Sequence, residues 1–295
     1  MRRRFFVMFN PGAGKSRRAL LDDVVARLQT AGASVTWCQA TDASAARDEA
    51  AARIHASACD AVIAAGGDGT IRQAASVVAN TDIPLGFVPL GTGNVLAHEV
   101  GLDRAPDALA DTLLNGPLLP IECARANSEL FVLMAGAGFD GHVMAALKSA
   151  TKLRIGKAAY VAPVLASLAR PLDQLHVTVD GTAHDATWAV IANARHYGGG
   201  FVIAPGTSLR ETGLIAVLFR SRSRVVLARQ LLALGMGTLR DARDVSMIPC
   251  RHVSVRSTVP VACQIDGDTF GATPLDVTYG GGTVQLIVPA RGVAV

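Results

Sequence analysis

Ala61-Val62-Ile63-Ala64-Ala65-Gly66-Gly67-Asp68-Gly69-Thr70-Ile71-Arg72 is the stretch on which the reading of the fold turns. Its first five residues form an unbroken apolar run of strand length, bounded by glycine, as expected of a strand covered on both faces. Residues 71–79 then carry apolar side chains at helical spacing. A buried strand passing through glycines straight into a helix is the repeating unit of a doubly wound α/β fold.

The same alternation continues on both sides. Residues 5–9 are a short apolar run, 17–31 have helical spacing (Leu20, Leu21, Val24, Val25, Leu28) and stop at Gly32, and 34–38 are extended again. Residues 43–56 read as a helix and 85–88 as another buried strand. Beyond about residue 121 the pattern becomes strand-rich: 131–135, 174–179 closed by Asp180-Gly181, 188–193, 214–219, 252–256, 263–266 and 284–288. Helices are expected near 156–168 and 224–239. The fold class is therefore α/β: a doubly wound N-terminal nucleotide-binding domain, residues 1–122, followed by a β-rich sandwich or open barrel, residues 123–295. The last residues returning to the first domain is the alternative.

Composition narrows the function. The 295 residues suffice for two domains with sizeable cores, half of them are apolar, and 18% are charged, as in a globular chain. The net charge of +4 comes from Arg2–Arg4, Arg17 with Arg18, and Arg220, Arg222 and Arg224. That excess suits anionic phosphates or an anionic membrane surface and is too dispersed for nucleic acid. Five widely spaced cysteines with no C-x-x-C pair point to a reducing compartment without structural zinc. No run approaches the ~18–20 apolar residues of a membrane helix, and the N-terminal start lacks a cleavage site. Cytoplasmic residence with transient peripheral membrane attachment is the expectation. A homodimer is allowed, though nothing in the sequence speaks for one.

Three glycine-rich loops follow strands. Phe9-Asn10-Pro11-Gly12-Ala13-Gly14-Lys15-Ser16 lacks the first glycine of a Walker A motif, and remains either a tight turn or an anion-binding loop. In Gly66-Gly67-Asp68-Gly69-Thr70 the glycines allow close approach of phosphate. An aspartate at that helix mouth opposes an anion unless Mg²⁺ lies between them, which points to a metal–nucleotide. Pro89-Leu90-Gly91-Thr92-Gly93-Asn94 is the third, and loops at successive parallel strand ends converge on one crevice. Much later, Gln264-Ile265-Asp266-Gly267-Asp268 reads either as an Asp-Gly hairpin turn or as two carboxylates on one strand face, both able to reach a hydroxyl or a metal. Residues 220–239 begin basic and continue amphipathic, with Val225, Leu227, Leu231, Leu232 and Leu234 broadly on one side and Arg229 interrupting. They form either a membrane-contacting helix or one packed on its own sheet. The seven histidines are isolated, and His98-Glu99 does not extend to H-E-x-x-H.

In this order and spacing, N-P-G-A-G-K from Asn10, G-G-D-G-T-I from Gly66, P-L-G-T-G-N from Pro89 and I-D-G-D from Ile265 resemble the diacylglycerol kinase catalytic-domain family. That family takes in bacterial diacylglycerol and phosphatidylglycerol kinases and the sphingosine and ceramide kinases. Gly136-Ala137-Gly138-Phe139-Asp140 and Ala204-Pro205 extend the likeness over nearly the whole chain. The resemblance implies a transferase of phospholipid metabolism, a lipid kinase using ATP and Mg²⁺ in a cleft between an α/β domain and a β-rich lipid-binding domain. It would phosphorylate diacylglycerol or a related lipid such as phosphatidylglycerol or sphingosine.

Carried across, Asn10, Pro11, Gly12, Ala13, Gly14, Thr41, Gly66, Gly67, Asp68, Gly69, Thr70, Ile71, Arg72, Thr92, Gly93 and Asn94 line the nucleotide. Asp68 organises the metal through water, and Asp266 or Asp268 takes the proton of the lipid hydroxyl. The family's late motif is usually D-G-E; here Asp268 is one methylene shorter. Many members continue G-T-G-N with aspartate where this chain has Val95, and Glu122 is then the neighbouring acidic group for the metal. Glu211-Thr212-Gly213 lacks the aspartate of a second, structural Mg²⁺ site, which is not expected. The rivals are an NAD kinase, which shares G-G-D-G-T but whose asparagine-rich second motif is missing, and a non-catalytic nucleotide- or lipid-binding regulator.

Overall fold

The computed structural model describes residues 2–10, 18–40, 42–149 and 161–290. They form two compact units. The first uses the chain up to Glu122 and again from Gly282, and the second spans Cys123–Gly281.

The first unit runs β1 (Arg4–Phe9), α1 (Arg18–Thr30), β2 (Ser34–Trp37), α2 (Ala43–His55), β3 (Ala61–Gly66), α3 (Asp68–Val78), β4 (Leu85–Pro89), α4 (Val95–Glu99), α5 (Pro106–Asn115) and the start of β5 (Leu118–Ala126). The strands are parallel in the order β2-β1-β3-β4, with Phe5 opposite Val35 on one side and Ala61 on the other. β3 and β4 are buried along their whole length, because helices cover both faces. α1 packs with α5 and α2 with α3. Right-handed crossovers running in opposite directions from β1 and β3 put these pairs on opposite faces. α1 buries Leu21, Val24, Val25 and Leu28, each adding about 1.5–3 kcal/mol of burial. Gly86 lets α5 approach β4, since a Cβ there would lie 2.3 Å from Leu113 Cδ2. The N-terminal arginines hold this unit together: Arg2 donates to Leu113 O and Gly116 O (3.1 and 2.9 Å), and Arg4 pairs with Asp60 at 2.6 Å.

The second unit is antiparallel. It contains β6 (Glu129–Phe131), β7 (Met134–Ala137), α6 (Phe139–Ser149), α7 (Val161–Ala169), β8 (Leu175–Val179), β9 (Thr182–Ala186), β10 (Trp188–Ala192), β11 (His196–Tyr197), β12 (Phe201–Val202), β13 (Leu214–Phe219), α8 (Arg224–Met236), β14 (Val245–Cys250), β15 (His252–Arg256), β16 (Ala262–Ile265), β17 (Asp268–Ala272) and most of β18 (Leu275–Ile287). One sheet has the order β14-β13-β10-β7-β16-β17, and the other brings together β18, β15, β8 and β9. Their facing sides share one apolar core that includes Ala135, Ile191, Leu218, Val253 and Val277, which makes the unit a sandwich. Trp188 stacks on Phe219, ring centroids 3.9 Å apart. After β18 leaves this unit, Leu286 pairs with Leu85 of β4.

Three expectations need correction. The strand expected at 131–135 is broken at Val132 and Leu133, whose amides turn to a side chain instead of a neighbouring strand. The strand expected at 284–288 begins at Leu275. The turn-like glycines of 136–141 lead into a helix, α6, that the sequence reading did not contain. Among the described residues no helix is long and apolar enough to cross a membrane.

Candidate active site

The direction of winding reverses between β1 and β3, and in open parallel sheets ligands bind outside the carboxyl ends of the strands at that reversal. Asn10 leaves β1 there, its N–H donating to Ala65 O at 3.1 Å. Pro11, Gly12, Ala13, Gly14 and Thr41 lie outside the described residues, as do Lys15 and Ser16.

The second and third glycine loops are one construction. Gly66 O accepts from Leu90 N and Gly91 N at 2.8 and 3.2 Å. A Cβ on Gly91 would stand 2.6 Å from the Gly67 Cα, so the two main chains touch and only glycine fits. Asp68, in the first turn of α3, reaches across: its Oδ2 accepts from Val95 N (3.0 Å) and its Oδ1 from Leu96 N (3.2 Å). Asn94, the residue before α4, provides no side-chain cap, and the Asp68 carboxylate satisfies those N-terminal amides from the neighbouring loop. The aspartate expected against a metal braces one glycine loop to the next.

Asn94 completes the pair in a left-handed conformation (φ +47°). Its Nδ2 donates to Gly91 O at 2.7 Å, which fixes the orientation of the amide. The remaining Oδ1 is buried with no hydrogen-bond partner among the described residues. A buried, unpaired acceptor beside two glycine loops suits a donor brought by a ligand, such as a nucleotide hydroxyl or amino group or the water of a hydrated cation. Gly69, Thr92 and Gly93 are half-buried around it and Arg72 lies one turn into α3. Thr70 and Ile71 face inward, and their N–H groups donate to Gly67 O at 3.0 and 3.1 Å.

Glu122 makes hydrogen bonds within the same unit. Its Oε1 accepts from Gly282 N (3.2 Å) and its Oε2 from Thr283 Oγ1 (2.9 Å), where β5 and β18 run side by side. Among the described residues no three His, Cys, Asp or Glu side chains gather into a metal-binding group. Any cation here would rely on ligand oxygens and water beside one or two carboxylates, the usual situation for Mg²⁺ with phosphates.

In the second unit, Asp266 and Gly267 are the two central residues of a hairpin joining β16 and β17, with φ +47° and +79°. Those are the left-handed values of a type I′ turn. The chain reverses between the two aspartates, so of the two readings of this segment the Asp-Gly hairpin turn is the one present, and the same-face rule for residues two apart in a strand does not apply. Asp266 is buried and accepts from Val132 N, Leu133 N and Met134 N at 2.8, 2.8 and 3.0 Å. Asp268 is exposed at the start of β17.

The hairpin rests on residues to which sequence reasoning gave no role. Gln264 Oε1 accepts from Gly267 N at 2.9 Å, and its Nε2 donates to Asp140 Oδ2 at 3.0 Å. Asp140 lies over Gly136, where a Cβ would come within 2.2 Å of that oxygen. Complete burial pushes the Asp140 carboxyl up to about 7, against hydrogen bonds from Gln264 and Gly141 N that favour its charged form. The signal was present in Gly136-Ala137-Gly138-Phe139-Asp140, whose glycine is the space the carboxylate fills.

A parallel-sheet unit with braced glycine loops, followed by an antiparallel sandwich with a buttressed acidic hairpin, defines a two-unit phosphotransferase. Residues 4–126 match the diacylglycerol kinase catalytic domain, and residues 134–288 match the YegS C-terminal NAD kinase beta sandwich-like domain. The chain is 33% identical over 281 residues to a diacylglycerol kinase of Mycobacterium tuberculosis, covering 91% of this chain and 89% of that one. It is 31% identical over 287 residues to a YegS-like lipid kinase of Pseudomonas fluorescens, covering 94% and 89%. A crystal structure of a Bacillus anthracis protein assigned as a diacylglycerol kinase shares the fold, with a TM-score of 0.78 at 19% identity over 99% of this chain and 98% of that one. The chain belongs to the diacylglycerol kinase family. It is a lipid kinase, and a nucleotide is its phosphoryl donor.

Proposed function

We propose that this kinase moves the γ-phosphoryl group of ATP, with Mg²⁺, onto the hydroxyl of diacylglycerol or a related membrane lipid. The observation that carries the reading is the touching Gly67–Gly91 pair braced by Asp68 beside the buried Asn94 oxygen, which has no partner among the described residues. These are main-chain amides, a carboxylate and an acceptor gathered where an α/β sheet binds phosphates. Asn10, Gly66 to Arg72 and Thr92 to Asn94 hold the nucleotide, together with Pro11 to Gly14 and Thr41. Asp68 and Glu122 are the carboxylates assigned to the hydrated Mg²⁺, which neutralises charge on the transferring phosphoryl group when bound.

Asp268 is the proposed base. It takes the proton of the lipid hydroxyl as that oxygen forms its bond to the γ-phosphorus, and the bond to the β-γ bridging oxygen breaks to release ADP. Exposure favours it over Asp266, whose oxygens serve three main-chain donors in a buried turn. Asp266 holds the hairpin in shape.

The test is ADP release from Mg-ATP with mixed micelles of diacylglycerol, phosphatidylglycerol, sphingosine or ceramide, and with NAD as a soluble acceptor. Release that depends on diacylglycerol, or on another of these lipids, supports the reading and names the acceptor. Release with NAD alone overturns it in favour of the enzyme class whose sandwich the second unit is likened to.

A further inference from the structure

The last turns of the second unit's chain before β14 leave an apolar surface that no described residue of the unit covers. α8 buries Leu227, Gln230 and Leu234 against its neighbours. Its opposite side presents Val225, Arg229, Leu232 and Met236, a stripe at four-, three- and four-residue steps that follows one helix face. A helix apolar on both sides is ordinarily buried all round; this one is not. α7 lies against α8, with Arg224 Nη1 donating to Ala169 O at 2.9 Å, and β12 also contacts α8. Val161, Leu165, Phe201, Val225, Leu232 and Met236 are each 48–72% exposed.

The charge carried by α7, α8 and the segment leading into α8 has one sign, the nearest carboxylates in the chain that follows being those of Asp241 and Asp244 in the turn after α8. Arg220, Arg222, Arg224 and Arg229 are exposed, and no aspartate or glutamate occurs between Glu211 and Asp241. α7 carries no charged residue. The N-terminal arginines differ, since Arg2 and Arg4 are engaged within their own unit. An apolar stripe flanked by arginines and free of carboxylates complements a surface that is apolar inside and anionic outside.

From this juxtaposition we propose that the exposed faces of α7 and α8, with Phe201, dock the protein onto an anionic lipid bilayer, the apolar side chains entering the headgroup boundary and the arginines meeting lipid phosphates. The proposal deepens the lipid-kinase reading by naming where the enzyme meets its substrate's membrane, and it rests on that reading in choosing a bilayer over a second copy of the chain.

The test is co-sedimentation of the intact protein with vesicles in the absence of ATP. Vesicles of equal phosphatidylglycerol and phosphatidylcholine bind it, phosphatidylcholine alone binds at least about tenfold less, and about 0.5 M NaCl weakens the binding. Leu232→Asp with Met236→Asp lowers binding at least about tenfold. Both residues are exposed, so circular dichroism and the melting temperature stay unchanged, and turnover on a dispersed short-chain lipid is kept. Undiminished binding by the double variant overturns the proposal. So does a wild-type dimer that the double variant turns into monomer while vesicle binding is unmoved, since the face then covers a second copy. Vesicle binding by a protein that phosphorylates no lipid sinks the kinase reading and leaves this surface standing; lipid phosphorylation without vesicle binding does the reverse.

Discussion

At the scale of single residues, the two aspartates of the late hairpin are distinguished by what surrounds them. Asp268 is exposed, whereas Asp266 is the acceptor for three consecutive main-chain amides. Asp268→Asn is expected to lower kcat on the order of 10²–10⁴-fold with little change in melting temperature or ATP affinity. Asp266→Asn replaces a charged acceptor in a buried turn and is expected to cost about 2–4 kcal/mol of stability, read from denaturant unfolding. If the effects exchange places, the assignment of base and brace is inverted. Asp140 contributes a pH dependence. Its carboxyl titrates near 3.8 in the unfolded chain and, through burial, near 7 in the folded one. Within that window the folded chain binds the extra proton, so stability is full below it and falls as pH rises through it. Asp140→Asn is expected to remove up to about 1.4 kcal/mol per pH unit of that slope relative to wild type. An unchanged difference between unfolding at low and neutral pH would contradict it. None of these distinctions is written in the spacing of Asp266 and Asp268. They depend on φ at one turn and on amides more than a hundred residues away in sequence.

At the scale of elements, periodicity carried far where local pattern and tertiary contact agree. β13 and β15 occupy 214–219 and 252–256, the ranges that alternation alone suggested. α1, α2 and β2 each end one residue before their expected ranges, and residue 17, the expected start of α1, lies outside the described residues. Pattern failed where a distant side chain intervenes. The apolar run at 131–135 has strand propensity throughout, yet the ladder is interrupted because Asp266 claims the amides of Val132 and Leu133. α8 shows a related limit: its leucines read as one apolar side, and the structure divides them between a buried face and an exposed one. The glycine loops were legible as loops, but not their contact. That contact makes Gly91→Ala informative. The added methyl meets the Gly67 main chain at 2.6 Å, an overlap costing about 1–3 kcal/mol, and ATP affinity is expected to fall at least about tenfold while the secondary structure holds. Unaltered ATP binding in that variant would show that the joined loops are not the phosphate site.

At the scale of the whole molecule, the sequence motifs fall into two compact units. The glycine loops belong to the first unit, and the acidic hairpin and Asp140 to the second. The chain passes between the units within two strands, β5 and β18. Glu122, expected beside the metal, hydrogen-bonds Gly282 and Thr283 where these strands run together. Glu122→Gln removes the charge and keeps the bond from Gly282 N, with the new Nε2 donating to Thr283 Oγ1 where the carboxylate accepts from it. If Glu122 serves Mg²⁺, the variant needs several-fold more Mg²⁺ for half-maximal turnover; if it only joins the strands, that requirement is unmoved. The central claim, that the chain transfers the γ-phosphoryl group of ATP to a lipid hydroxyl with Asp268 as base, is tested most directly by incubating wild type and Asp268→Asn with micelles of diacylglycerol, phosphatidylglycerol, sphingosine or ceramide and Mg-ATP radiolabelled at the γ-phosphate, then counting label in the extracted lipid. The account predicts labelled lipid with wild type on at least one acceptor, phosphatidic acid where that acceptor is diacylglycerol, and about 10²–10⁴-fold less with the variant; equal labelling by both, or none by wild type with any of these acceptors, would contradict it.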